Sequence, residues 1–272
     1  MKRILPAILM ACCIPVMSFA QGGPGAQGPP GGFGGRGGRG APPPQGKVGA
    51  PADFTGYWVS PVFEDYRWRM FTPLKGDAAS VPINPAGRKI VDSWDPAKDE
   101  AAGEQCKAYG AAAIMRVPGR LHITWQDDNV LKIETDAGTQ TRLFHFTGQP
   151  PKDAEPSWQG YSAARWDRGV APGPPTVPVG FQPRQGGRSR TLDVVTTQLQ
   201  AGYLRKNGVP YSANTTVTEY YDHWAEPSGQ EWFTVTTVVT DPDYLAIPFV
   251  TTTDFKKEPD GSKFNPKPCS TR

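Results

Sequence analysis

The sequence predicts an all-β fold: an antiparallel domain of about eight to nine strands with one short helix, preceded by a Gly/Pro-rich N-terminal arm. Three observations predict it. From Asp53 onward, short runs rich in Val, Ile, Thr and aromatic residues are broken by clusters of turn residues, the pattern of strands rather than helices. The 31 glycines and 30 prolines concentrate near the N-terminus and in one internal stretch. The 272 residues are 38% hydrophobic and 11% aromatic, enough for one domain with a substantial core.

Residues 1–20 place Lys2 and Arg3 before an apolar run and end on Ser18-Phe19-Ala20, the layout of a secretory signal peptide. The run is too short for a permanent membrane span, and no other segment approaches the needed length. The expected location is therefore secreted or periplasmic, with a lipoprotein anchored through Cys12 in Leu9-Met10-Ala11-Cys12 as the alternative. Cleavage after Ala20 removes Cys12 and Cys13, so Cys106 and Cys269 remain as an even pair in an oxidising compartment, which predicts a Cys106–Cys269 disulfide. Loss of Lys2 and Arg3 takes the formal charge from +3 to +1. A near-neutral chain offers no electrostatic case for nucleic acid.

Residues 21–52 hold almost no apolar side chain and read as a disordered Gly/Pro-rich linker. The folded domain is expected over 53–272. Its strands are predicted at residues 56–63, 120–126, 130–135, 141–146, 161–167, 191–197, 215–224, 232–240 and 249–256. Asp127-Asp128-Asn129, Asp136-Ala137-Gly138-Thr139 and Glu226-Pro227-Ser228-Gly229 supply turns. One helix is expected over residues 84–94, with Asn84 as cap, Pro85 at the first helical position, and Ile90, Val91 and Trp94 on one face. Residues 168–190, rich in Gly and Pro, read as an inserted loop over a barrel opening.

Gly56-Tyr57-Trp58 resembles the first strand of lipocalins, in which a Gly-x-Trp lays its indole across the closed end of an eight- or nine-stranded barrel. A longer ordered series runs from DFTGYW through YGAAAIMRVPGRLHI, Glu134 and Arg142 on a hairpin, SWQGYSAARWD, TLDVVTT, TVTEYY and TDPDYLAIPF. It is similar to a family of secreted bacterial proteins of unknown function with lipocalin-like β-barrels. The resemblance implies a lipocalin-like barrel with Trp58 as plug. Three departures stand out: residues 168–190 are inserted, Tyr220 stands where the family has Arg, and Lys256 and Lys257 occupy the last strand in place of a lipocalin-style arginine.

Residues two apart on a strand share a face, so Val217, Glu219, Tyr221 and His223 go together, and Arg165 and Trp166 cannot both point inward. The polar candidates for the interior are Glu134, Arg142, Arg165, Asp193 and Glu219, with aromatic walls from Trp125, Trp158 and Tyr221. Buried charges require partners, which predicts an Arg142–Glu219 or an Arg165–Glu134 couple fixing a polar group of a ligand. The competing arrangement is outward-facing cross-strand ion pairs. His122, His145 and His223 all fall in predicted strands without ligand spacing, so no metal or other cofactor is expected. Glu134 or Glu219 with His145 or His223 are the candidate acid/base groups. No nucleophile elbow, phosphate loop or Cys-x-x-Cys is present.

These observations point first to an exported protein that binds a small, mostly apolar molecule in a barrel. A barrel enzyme performing isomerisation or hydration with a buried Glu and a His is the second reading. A structural envelope protein with a filled barrel is the third. The sequence specifies neither the ligand nor the oligomeric state.

Overall fold

The period-two alternation of the predicted strands is realised as a ring with one face turned inward. The computed structural model describes residues 44–167 and 191–271. In chain order its elements are α1 (Gly46–Gly49), β1 (Gly56–Val59), α2 (Tyr66–Arg69), α3 (Pro85–Ser93) and α4 (Pro96–Ala101). Short 3-10 turns at Gln105–Tyr109 and Ile114–Arg116 follow, then β2 (Arg120–Asp127), β3 (Val130–Thr135), β4 (Thr141–His145), β5 (Tyr161–Asp167) and β6 (Thr191–Thr197). The last strands are β7 (Gly202–Arg205), β8 (Val209–Tyr211), β9 (Thr216–Ala225), β10 (Glu231–Thr240) and β11 (Phe249–Glu258).

Nine strands close into a barrel in the order β1-β11-β10-β9-β6-β5-β4-β3-β2, with β2 returning to β1. All neighbours are antiparallel except β4 and β5, which run parallel with Phe144 opposite Ser162. The expected antiparallel barrel is thus present, with this one parallel exception. Alternation reveals which face of a strand is buried but not its direction, and residues 146–160 form the kind of crossover that a parallel neighbour needs.

The expected helix is α3. The Asn84 side chain accepts from the backbone N–H groups of Ala86 and Gly87 at 2.9 and 3.0 Å, and Val91 and Trp94 are buried. The expectation of a single helix is too low, because α1, α2 and α4 are short helices as well. Each is only four to six residues long, below the length at which helical periodicity can register.

Residues 44–52, expected to belong to the linker, instead cover one end of the barrel. The Gly46 carbonyl accepts from the Trp166 indole at 2.7 Å, and the Gln45 side chain accepts from the Trp166 backbone N–H at 2.8 Å. Just behind, Phe54 packs against Trp166, Tyr221 and Phe233, with ring centroids 5.7–6.4 Å apart. The signal peptide expected over residues 1–20, most of the expected linker and the loop expected over residues 168–190 lie outside the described residues.

The opposite end carries a second apolar cluster, in which Ala111, Ala112, Leu204, Val209, Tyr211, Val217 and Val239 are buried together. The β7–β8 hairpin belongs to it and was not expected from the sequence. Its turn needs Gly208, which has φ +79°, and a Cβ there would meet the Trp94 ring at 2.2 Å. An Asn207-Gly208 pair between apolar residues is a hairpin signal, but strands of four and three residues containing Pro210 fall below a reliable pattern.

Cys106 and Cys269 form the expected disulfide, tying the C-terminal tail to the 3-10 turn before β2. The bridge spans 163 residues of sequence. Urea unfolding with and without reductant should differ by about 2–5 kcal/mol. Labelling of both cysteines by a thiol reagent in the unreduced, unfolded protein would show that the bond does not form.

Candidate functional site

The inward face is set by parity, and the ring chooses which parity. Leu121, Ile123, Leu131, Ile133, Phe144, Trp166, Leu192, Val194, Phe233 and Phe255 are all buried and line the inside. Trp58 is 0% exposed. Its indole N–H donates to the Phe54 carbonyl at 2.9 Å, and its ring meets Phe233 edge-on at 4.7 Å. Lys257 is opposite Trp58 in the β1–β11 register. Its ammonium sits 5.3 Å from the indole centroid and is held by Glu231. A lysine thus stacks on Trp58, at the strand where the sequence carries no lipocalin-style arginine.

Of the two ion pairs expected inside, Arg142–Glu219 forms. Arg142 Nη1 and Nη2 donate to the two carboxylate oxygens at 2.9 and 2.6 Å, and both side chains are fully buried. Arg142 Nη2 also lies 3.3 Å from the Thr196 hydroxyl, which is 2.7 Å from the Ser162 hydroxyl, while the Tyr221 hydroxyl donates to Glu219 at 3.3 Å. Burial by itself disfavours the guanidinium, but the charge and hydrogen bonds of Glu219 together with those of Tyr221 outweigh it and hold the Arg142 pKa above its ordinary value. Burial, reinforced by Glu219, likewise pushes the Tyr221 phenol well up. The centre of the barrel is therefore occupied by a neutralised side-chain network.

Arg165–Glu134 does not form. Arg165 and Asp193 face each other across β5 and β6 and pair on the outer wall, with Arg165 Nε and Nη2 both donating to Asp193 at 3.0 and 2.7 Å. Glu134 is likewise on the outer wall, beside His122 at 3.2 Å and Lys132 at 3.1 Å. Trp166, on the other parity from Arg165, takes the inward position. Trp125 stands at the covered end, 5.5 Å from Phe146. Trp158 is not a barrel wall at all; it lies in the crossover between β4 and β5, where its carbonyl accepts from Ala111 N–H at 2.8 Å.

The three histidines do not converge. His122 stacks on Tyr57 at 4.2 Å and His145 on Tyr161 at 4.6 Å, both outside, and burial lowers the His145 pKa. His223 faces inward, 5.6 Å from the Phe54 ring. It is four residues from Glu219 along one strand, about 13 Å apart at the strand rise. Both oxygens of Glu219 are taken by Arg142, so Glu219 and His223 do not form a couple for proton transfer. Among the described residues, no group of three or more His, Cys, Asp or Glu side chains could hold a metal ion.

Room for a ligand lies elsewhere. At the barrel end opposite Phe54, a cleft of about 400 Å³ opens between residues 68–73, residues 108–118, the turn at Ala137 and Gly138, the β7 end and the tail on either side of Cys269. Trp68, Phe71, Val117 and Leu204 supply apolar wall. Arg69, Arg116, Arg205, Lys206 and Lys267 also line it, and among the described residues no carboxylate does. Arg69 is saturated, donating to the Arg116 carbonyl and the Ser60 hydroxyl at 2.8 Å each and pairing with Glu64. Arg116 pairs with Asp65 at 2.6 Å. Arg205 donates from Nη1 to the Ala79 carbonyl at 2.7 Å, and its guanidinium lies 4.8 Å from the Trp68 centroid. Asn207 pins the outer lip by donating to the Leu74 and Asp77 carbonyls at 2.9 and 2.8 Å.

These cleft residues come from five separated stretches without a short-range motif, which is why the sequence alone does not reveal them. The one available signal was the excess of Arg and Trp in YRWRMF, residues 66–71.

Comparison with family models, curated proteins and solved structures gives no match. The fold and site define the chain as a closed nine-stranded β-barrel with a packed interior and a cationic, aromatic-walled cleft at one end. Among the described residues no helix is long and apolar enough to cross a membrane.

Proposed function

We propose that the protein is an exported, lipocalin-like binding protein that holds a small, mostly apolar ligand at the mouth of its barrel rather than at its centre. The observation that carries this reading is the cleft: its volume of about 400 Å³ falls within the range of small-molecule sites, which are apolar with a few convergent polar groups. The disulfide and the N-terminal pattern support export. Lys257 on Trp58 supports the lipocalin likeness.

The test is native mass spectrometry of protein produced with its own leader and recovered from the bacterial periplasm. The expected result is a mature chain beginning at Gln21 and an organic molecule released on denaturation, with reduced occupancy in Phe71→Ala. Phe71 is 63% exposed, so this variant should fold normally. Retention of the leader would remove the export reading. Occupancy indifferent to Phe71 would remove the cleft.

A second reading, a structural envelope protein, is favoured by the filled interior together with the exposed apolar residues Phe63, Tyr66, Phe71 and Leu74, which are 55–81% accessible. Protein free of any bound small molecule and recovered in a high-mass envelope complex would favour it.

A further inference from the structure

We propose that the cleft is built for an organic anion, a small amphiphile whose carboxylate is paired by Arg205 and Arg116 while its apolar body lies along Trp68, Phe71 and Leu204. The inference rests on the reading of this cleft as a ligand site and deepens it.

Arg205 is 5% exposed and Arg116 is 7% exposed. Buried guanidinium groups require compensation by charge or hydrogen bonds. Arg116 has Asp65 on Nη2, yet its Nη1 is buried without a partner. Arg205 is further from balance: among the described residues no carboxylate lies within 4.0 Å of it, and its Nε and Nη2 are both buried without a partner. Burial, assisted by the neighbouring Arg116 charge, pushes its pKa down to about 10.

Which edge is unpaired identifies the missing chemistry. Nε and Nη2 form the side-on edge of the guanidinium, the one that matches a carboxylate. The same edge holds Glu258 in Arg120, with Nε at 2.8 Å and Nη2 at 3.4 Å, and Asp193 in Arg165. In Arg205, Trp68 stacks on the guanidinium face and Ala79 takes Nη1. The edge left over is the carboxylate-binding one, in a cleft lined by Lys206 and Lys267 and, among the described residues, by no acid.

The experiment compares decanoate with 1-decanol, equal in chain length and differing in headgroup charge, by titration of the mature protein followed by tryptophan fluorescence and calorimetry. Decanoate should bind about tenfold or more tightly than decanol, as expected for charge-assisted hydrogen bonds. Arg205→Met should remove most of that difference while leaving decanol unaffected, and Phe71→Ala should weaken both. Equal affinities in the wild-type protein would overturn the anion inference while leaving the cleft as an apolar site. Failure of both probes to bind would overturn the cleft reading with it. The wild-type comparison needs no variant and decides between these outcomes even if Arg205→Met does not fold.

Discussion

Replacing Glu219 with leucine should lower the unfolding free energy by about 3–5 kcal/mol, because it leaves Arg142 charged and unpaired at the centre of the barrel. Against a total stability of about 5–15 kcal/mol for an ordinary domain, this is enough to unfold much of the population. The double replacement Arg142→Met, Glu219→Leu should recover much of the loss, since a buried ion pair exchanged for apolar side chains of similar volume is often neutral or better. Urea denaturation of the two single variants and the double variant closes the cycle and yields the coupling energy directly. A cost below about 1 kcal/mol for Glu219→Leu would mean that water reaches the pair, and the barrel would then have an accessible interior after all. The experiment therefore also separates a barrel with a central ligand from one whose ligand sits at its mouth.

The second large effect is expected at Trp58. Trp58→Ala removes an indole that is 0% exposed and touches Phe233 and the Phe54 backbone, and should cost about 3–5 kcal/mol. Trp58→Phe should cost less, since it keeps most of the ring and loses the hydrogen bond to Phe54. Lys257→Met should cost about 0.5–1 kcal/mol, the range of a cation–π contact near the surface. Chemical unfolding of the three variants checks the order. A Trp58→Ala cost within about ±0.5 kcal/mol, the range of ordinary surface substitutions, would show that the indole is not a plug.

Much of the wall was legible because it depends on local alternation. The runs at residues 130–135, 161–167 and 191–197 become β3, β5 and β6 with the same bounds, since each is flanked by turn residues and each alternates on one parity. The choice of parity was not legible. In β5, YSAARWD, both Arg165 and Trp166 are plausible inward residues, and only closure against β6 and packing on Phe54 send the tryptophan in. Arg142 and Glu219 could be named as a couple because buried charge demands a partner, and their strands cross the same interior. Arg165 and Glu134 satisfied the same rule. Each instead found a nearer partner on the neighbouring strand, Asp193 and His122, because cross-strand neighbours are set by register and register cannot be read from one strand alone. The cleft was least legible: Trp68, Arg116, Leu204 and Lys267 are far apart in the chain, and apart from the Arg- and Trp-rich run at residues 66–71 no segment marks it as part of a site.

The way the ring is joined has a consequence for how the molecule comes into being. β1, near the start of the described chain, pairs with β11, which ends at Glu258, so the barrel is sealed by its first and last strands. A chain made from its N-terminus presents Gly56–Val59 long before Phe249–Glu258 exists. Until the final strand arrives, β10 remains an open edge able to recruit strands from other molecules, and the distant pairing adds the slow search characteristic of high contact order. Cys269 lies later still, so the covalent tie can form only once the sealing strand has been made. A transcript cut short before Phe249 would therefore yield an unsealed sheet rather than a smaller barrel.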